Sequence, residues 1–206
     1  MESRTDAGTA LQLADWRRTV AELYAQVRAA AEPAAGHARW RVGRDALFTR
    51  HPQSPLAATD PLRDTGLPYW PYDPALRFEV PVTPPDAPQR RDVDTGADGV
   101  TSYELLGSVR LPAPVSGTLA VWWTRQYGGG LFLPVRDGTA GRTSYGAGRY
   151  LLDTAKGADL GGAGDRLVLD LNFLYHPSCR YDDSWVCPLA PAENTVTAEI
   201  RAGERL

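Results

Sequence analysis

The sequence predicts a mainly β protein: an antiparallel β-barrel or sandwich with an N-terminal α-helix packed outside. Three observations carry that expectation. Beyond Thr101, apolar residues recur at every second position, the period of half-buried strands. The chain holds 20 glycines and 17 prolines, about 18% of its residues against a usual ~12%, which suits a turn-rich β protein. Only one stretch, near the N-terminus, carries a clear helical stripe. With 206 residues and 43% hydrophobic content, the chain has the size of one domain and can bury a sizeable core.

The helical stripe is Leu13, Trp16, Val20, Leu23, Tyr24 and Val27. Thr9 and Gln12 have the spacing of a capping box, and Pro33 and Gly36 should close the helix. Residues 1–36 are then a helical arm and residues 37–206 a single β-rich domain. Asp15, Arg17, Arg18, Glu22 and Arg28 form a solvated face. The apolar stripe needs cover, either from the β domain or from a second copy in a homodimer. A shorter amphipathic stretch follows from His37 to Phe48, halted by the prolines of His51–Leu56. Leu67–Pro74 is aromatic and proline-rich, and Pro81–Gly99 reads as a polar loop.

About seven strands follow from the alternation. One lies near Phe78–Val80, one spans Thr101–Leu111, and one carries Leu119, Val121 and Trp123. Leu131–Asp137 and Thr143–Asp153 make a hairpin, Arg166–Phe173 alternates, and Val196, Ala198 and Ile200 close the series.

Charge and motifs exclude several classes. The net charge is −3, and 21 of the 22 basic residues are arginine, a bias of composition. Nucleic acid is an unsuitable partner for this balance. No apolar run reaches the ~18 residues of a membrane span, and no signal-type segment opens the chain, so the expected location is cytoplasmic. No P-loop or Gly-x-Ser-x-Gly elbow occurs, and GAGRYL lacks the strand–turn–helix setting of a dinucleotide fingerprint. No cofactor is called for.

The residues able to carry chemistry form four groups. Arg136 and Asp137 end one hairpin strand, and Ser144, Tyr145, Arg149 and Tyr150 lie on its partner; period two puts Tyr145 with Arg149. Asp170 and Asn172 share the face opposite the leucines of their strand, and if buried they need partners, the hairpin arginines first among them. The segment Tyr175–Pro188 holds Cys179 and Cys187 with His176. A disulfide is sterically open there, free thiols suit a cytoplasmic chain, and the spacing fits no standard zinc pattern. His51 and Ser54 sit in a proline-flanked turn that explains both without a ligand, though they join the binding candidates.

The long motif LFLPVRDGTAGRTSYGAGRYLLD followed by LDLNFLYHPSCRYDDSWVCPLAPAENTVTAEIRAGE, with RDALFTRHPQSPL and LPYWPYDPALRFEV upstream, resembles the bacterial domain-of-unknown-function family numbered 1684, in its actinobacterial form. The match spans roughly Trp40 to Glu204. It falls on Arg136 or Asp137, and on Tyr145, Gly148, Arg149, Tyr150, Asp170, Asn172, Tyr175, Pro177, Cys179, Cys187, Pro188 and Asn194. His176 departs from it, since the family pattern usually has Asn there, which weakens a zinc reading. Secreted, lipoprotein-like members imply that the cysteine pair can be oxidised. The resemblance implies no reaction.

Two functional expectations follow. One is a binding domain for a small molecule, an anionic metabolite, with ligand-binding residues Arg136, Arg149, Asn172, Tyr150, His51 and Ser54. The other is a cofactor-independent enzyme with Asp170 or Asp137 as acid/base and Tyr145 as donor. The bland alternative is a structural polar network with no ligand. The side chains of Arg136 or Asp137, Tyr145, Arg149, Asp170 and Asn172 are expected to converge in one partly buried site, with Asp170 the expected carboxylate for Arg149.

Overall fold

The computed structural model describes residues 6–96 and 99–206. Two helices come first. In α1 (Ala7–Arg28), Asp6 is the N-cap, accepting from the backbone N–H of Thr9 at 3.0 Å and from its hydroxyl at 2.7 Å. The helix thus begins a turn earlier than a Thr9–Gln12 box would set it, because the Asp6 carboxylate satisfies the free first-turn donors. Pro33 does not close this helix. It opens α2 (Pro33–Arg50) at the first helical turn, where a missing N–H costs nothing. The chain breaks at 29–32 instead, so the 36/37 boundary read from the sequence falls inside α2.

The α1 stripe is covered by its own chain. Leu23 and Tyr24 are buried, with Trp16, Val20 and Val27 packed partly against the same core. Leu23 lies directly over Gly43 of α2.

Among the described residues, eight strands form two antiparallel sheets. β1 (Arg77–Pro81), β8 (Arg166–Asp170) and β7 (Gly162–Ala163) make one, in the order β1-β8-β7. β2 (Arg90–Asp94), β3 (Val100–Leu111), β4 (Gly117–Thr124), β5 (Leu131–Val135) and β6 (Arg149–Asp153) make the other, in sequence order. Thr83 and Ser108 exchange backbone hydrogen bonds of 2.8 Å beside a bulge in β3. A Cβ at Gly107 would lie 2.4 Å from the Thr83 carbonyl oxygen, so only glycine permits this approach. The arrangement is sandwich-like, and the described strands close no barrel.

The main core gathers Val109, Leu119, Val121, Leu133, Leu151, Leu169 and Phe173 beneath Trp40 of α2. Ala120 and Trp122 alternate with Leu119 and Val121 along β4, so they point the other way. They join Tyr103, Phe132 and Tyr150 in a second, aromatic cluster.

Four segments depart from the sequence reading. The strand expected over Arg166–Phe173 ends at Asp170, because the Asp170 carboxylate caps a 3-10 turn over Leu171–Phe173, so Asn172 does not share a strand face with it. The polar stretch Pro81–Gly99 contains β2, which pairs Arg90–Asp94 with Val100–Glu104; its side chains are largely exposed on both faces, so no alternation betrayed it. The segment Thr143–Gly148 is a turn and β6 begins only at Arg149, because the N–H groups of Arg142, Thr143 and Ser144 all converge on the Thr139 carbonyl. Val196–Ile200 is not a strand: it bends at Thr197 and Ala198, touches the end of β5 through an Arg136–Thr195 bridge, and its Ile200 carbonyl is taken by a side chain. No helix among the described residues is long and apolar enough to cross a membrane.

Removing the main α1 anchor by Leu23→Ala should cost about 2–4 kcal/mol in urea unfolding, the usual loss for a buried leucine. An unchanged midpoint would show that α1 contributes little to the core.

Candidate functional site

Two arginines, one fully and one largely buried, hold the C-terminal segment. Arg149, at the start of β6, is fully buried. Its Nη2 donates to Asp137 Oδ2 at 2.7 Å and to the Ile200 carbonyl at 2.9 Å; its Nη1 donates to the carbonyls of Ala202 and Glu204, the latter at 2.9 Å. Asp137 Oδ1 accepts from the N–H of Thr139 at 2.7 Å and of Ile200 at 3.2 Å. Trp70 covers the guanidinium, 5.1 Å from its centroid. Burial pulls the Arg149 guanidinium down, and Asp137 opposes it.

The second pair is Arg44 of α2 with Glu204. The Glu204 side chain has no exposed area. It accepts from Arg44, from the His176 N–H at 2.6 Å and from the Tyr181 hydroxyl at 3.2 Å. Phe48 and Tyr175 lie against the Arg44 guanidinium, 4.4 and 4.7 Å from it. Burial works against the Arg44 charge, but Glu204 outweighs it and holds the group above its usual range. His176 is locked beside them. Its Nε2 accepts from the Tyr145 N–H at 3.2 Å, and its Nδ1 faces Glu204 Oε2 at 3.6 Å, an arrangement that places the ring proton on Nδ1. Burial and the neighbouring Arg149, Arg180 and Arg44 push its pKa down to about 2, so the ring is neutral.

Asp170 stands elsewhere, at the end of β8. Its Oδ1 accepts from the Asn172 backbone at 3.1 Å and from the Asn172 amide at 2.8 Å. Its Oδ2 meets the Tyr72 hydroxyl at 3.2 Å, and half-exposed Arg77 stands 3.9 Å away. Asn172 also ties down the backbone of Asp73 at 2.9 and 2.8 Å. Burial raises the Asp170 carboxyl, against the lowering pull of Asn172 and Tyr72. His37 of α2 packs on Tyr72, 5.3 Å between ring centroids, and its buried Nε2 has no hydrogen-bond partner among the described residues. Burial lowers His37 to about 4.

The predicted set is therefore divided. Arg149 pairs with Asp137 and not with Asp170, because β6 and β8 belong to different sheets. Tyr145 lies in the turn before β6 and does not share a strand face with Arg149. Arg136 is exposed and bonds the Gly146 carbonyl at 3.0 Å. Tyr150 is buried in the aromatic cluster, its hydroxyl on the Pro188 carbonyl. His51 and Ser54 stabilise their turn: His51 Nδ1 accepts from the Gln53 N–H at 3.0 Å, and Ser54 donates to the Phe48 carbonyl at 2.6 Å. Sequence reasoning missed Arg44, Glu204, Tyr72, Arg77 and His37. Only the aromatic richness of Leu67–Pro74 hinted at Tyr72.

No three His, Cys, Asp or Glu side chains among the described residues converge as a metal would require. Two surface hollows lie away from these clusters. One, of about 530 Å³, opens between α1 and α2 around Leu23, Arg39 and Val42; the other, of about 350 Å³, lies at the β3–β4 turn.

Fold and polar clusters together define a two-sheet β protein whose C-terminal segment is locked by buried arginines. The chain belongs to the family described as "Protein of unknown function (DUF1684)", which matches residues 64–205. It is also similar to the solution NMR structure of an uncharacterized protein from gene locus rrnAC0354 of Haloarcula marismortui, at 33% identity and a TM-score of 0.57, covering 81% of this chain and 90% of that one. No curated protein matches it.

Arg149→Ala strands the Asp137 carboxylate in the core and should cost about 3–5 kcal/mol. The double variant Arg149→Met, Asp137→Leu should recover part of that loss, by urea titration of both. Acid should also weaken the fold through His176. Its folded pKa lies below the unfolded ~6.5, so below pH 6.5 the unfolded chain takes a proton that the folded chain refuses. From pH 6 to pH 4.5, the native protein should lose up to about 1.4 kcal/mol per pH unit more than His176→Asn. Parallel pH–stability curves for the two proteins would refute this.

Proposed function

We propose that the protein is a small-molecule binding domain whose site is the corner formed by Asp170, Tyr72, Arg77 and Asn172. One observation carries this reading: Asp170 Oδ2 is a buried carboxylate oxygen with only long contacts, 3.2 Å to Tyr72 and 3.9 Å to Arg77. The buried carboxylates of Asp137 and Glu204, by contrast, are taken up by arginines, backbone N–H groups and, for Glu204, the Tyr181 hydroxyl. A ligand hydroxyl or amine can donate to Oδ2 while an anionic group takes Arg77, whose side chain is 37% exposed. This retains the expected anionic ligand and Asn172, and assigns Arg149 and Asp137 to structure.

The same corner supports an acid–base alternative. Burial raises Asp170, the direction a general acid at neutral pH requires, and Tyr72 replaces Tyr145 as its hydrogen-bond neighbour.

A thermal-shift screen of hydroxycarboxylic acids and phosphate monoesters tests the binding reading. Compounds that raise the melting temperature of the native protein should lose most of that shift in Arg77→Ala, an exposed change that leaves the core intact, and in Asp170→Asn. Absence of any shift, or equal shifts in all three proteins, would refute it. Conversion of a bound compound by the native protein but not by Asp170→Asn would establish the acid–base alternative.

A further inference from the structure

We propose that Cys179 and Cys187 form a reactive dithiol that small disulfides oxidise to an intrachain disulfide, with Cys187 as the attacking sulfur, Cys179 as the resolving sulfur and Tyr145 as the donor that supports Cys179. These are the only two cysteines of the chain. Both are free and only partly buried, so a small reagent can reach them. The segment between Pro177 and Pro188 folds back on itself through a 3-10 turn at Ser178–Arg180, with the N–H groups of Tyr181 and Asp182 both on the Ser178 carbonyl. This brings the backbone N–H of Cys179 to 3.4 Å from Cys187 Sγ, to which it donates. The Cys179 thiol lies beside the same sulfur. A backbone N–H donor and a neighbouring thiol favour the Cys187 thiolate and hold Cys187 below the usual thiol range.

Cys179 has its own support. The Tyr145 hydroxyl lies beside it. Tyr145 is held in place by its N–H on His176 Nε2, and Pro188 is anchored by the Tyr150 hydroxyl. The chemistry balances without a metal. Cys187 thiolate attacks one sulfur of a small disulfide, RSSR; the S–S bond breaks, giving a mixed disulfide on Cys187 and leaving RS⁻. Cys179 then loses its proton to solvent and attacks Cys187 Sγ, and a second RS⁻ leaves. Two protein thiols are oxidised and one RSSR is reduced to two RSH. Tyr145 donates to the Cys179 thiolate during the second step.

The reduced full-length protein treated with oxidised glutathione tests this by intact mass. The native chain should lose two hydrogen masses and stay monomeric. Cys179→Ser should accumulate one glutathione adduct on Cys187, Cys187→Ser should react several-fold more slowly, and Tyr145→Phe should retain the adduct longer than the native chain. Equal rates in the two serine variants, a stable double adduct or a disulfide-linked dimer would overturn the proposal. Should a serine variant fail to fold, iodoacetamide mapping of the native protein decides: preferential labelling of Cys187, with a pH midpoint below the usual ~8.5, supports the proposal, and equal labelling of both sulfurs overturns it.

Discussion

The constraint on which the rest depends is the burial of Glu204. A carboxylate without exposed area survives only if every lone pair is used. Glu204 meets that demand with the Arg44 guanidinium, the His176 N–H and the Tyr181 hydroxyl. The partners come from two distant parts of the chain, so satisfying one charge draws α2 and the 175–181 segment to the C-terminus. Arg149 completes the closure by taking the carbonyls of Ile200, Ala202 and Glu204. Those groups have no sheet partner, and the arginine supplies the donors that a neighbouring strand would otherwise provide.

A buried ion pair is a poor source of net stability, because desolvation consumes much of the attraction. Its value here is positional. Hydrophobic residues of equal volume could fill the same space, but would leave the terminal carbonyls unpaired. Gly203 shows how close the approach is: with φ of 74°, a Cβ there would lie 2.2 Å from the Leu174 oxygen. The segment is placed by backbone contact and charge together.

The fold class was legible because it rests on local pattern. The strand alternation and the α1 stripe are written in consecutive residues such as Leu119–Trp122 and Trp16–Val27. β2 was not legible, since an exposed edge strand need not alternate. The polar site was half legible. Asp170 and Asn172 meet because Asp170 ends β8 and caps the 3-10 turn that holds Asn172, and short spacing shows that nearness. Arg149 with Asp137 joins residues across a hairpin, and choosing Asp137 over Asp170 requires knowing that β6 and β8 lie in different sheets. Arg44 with Glu204 spans 160 positions, and no pattern in either neighbourhood announces it.

The same closure also shapes the chemistry at the other end of His176. Glu204 takes the His176 backbone N–H and faces Nδ1, which leaves Nε2 as an acceptor for the Tyr145 N–H. Tyr145 in turn reaches Cys179. A buried charge at the C-terminus thus fixes a tautomer, the tautomer fixes a tyrosine, and the tyrosine reaches a thiol. His176 needs no titration for this role: what the position supplies is a neutral acceptor, at the reach of Nε2, for the Tyr145 N–H.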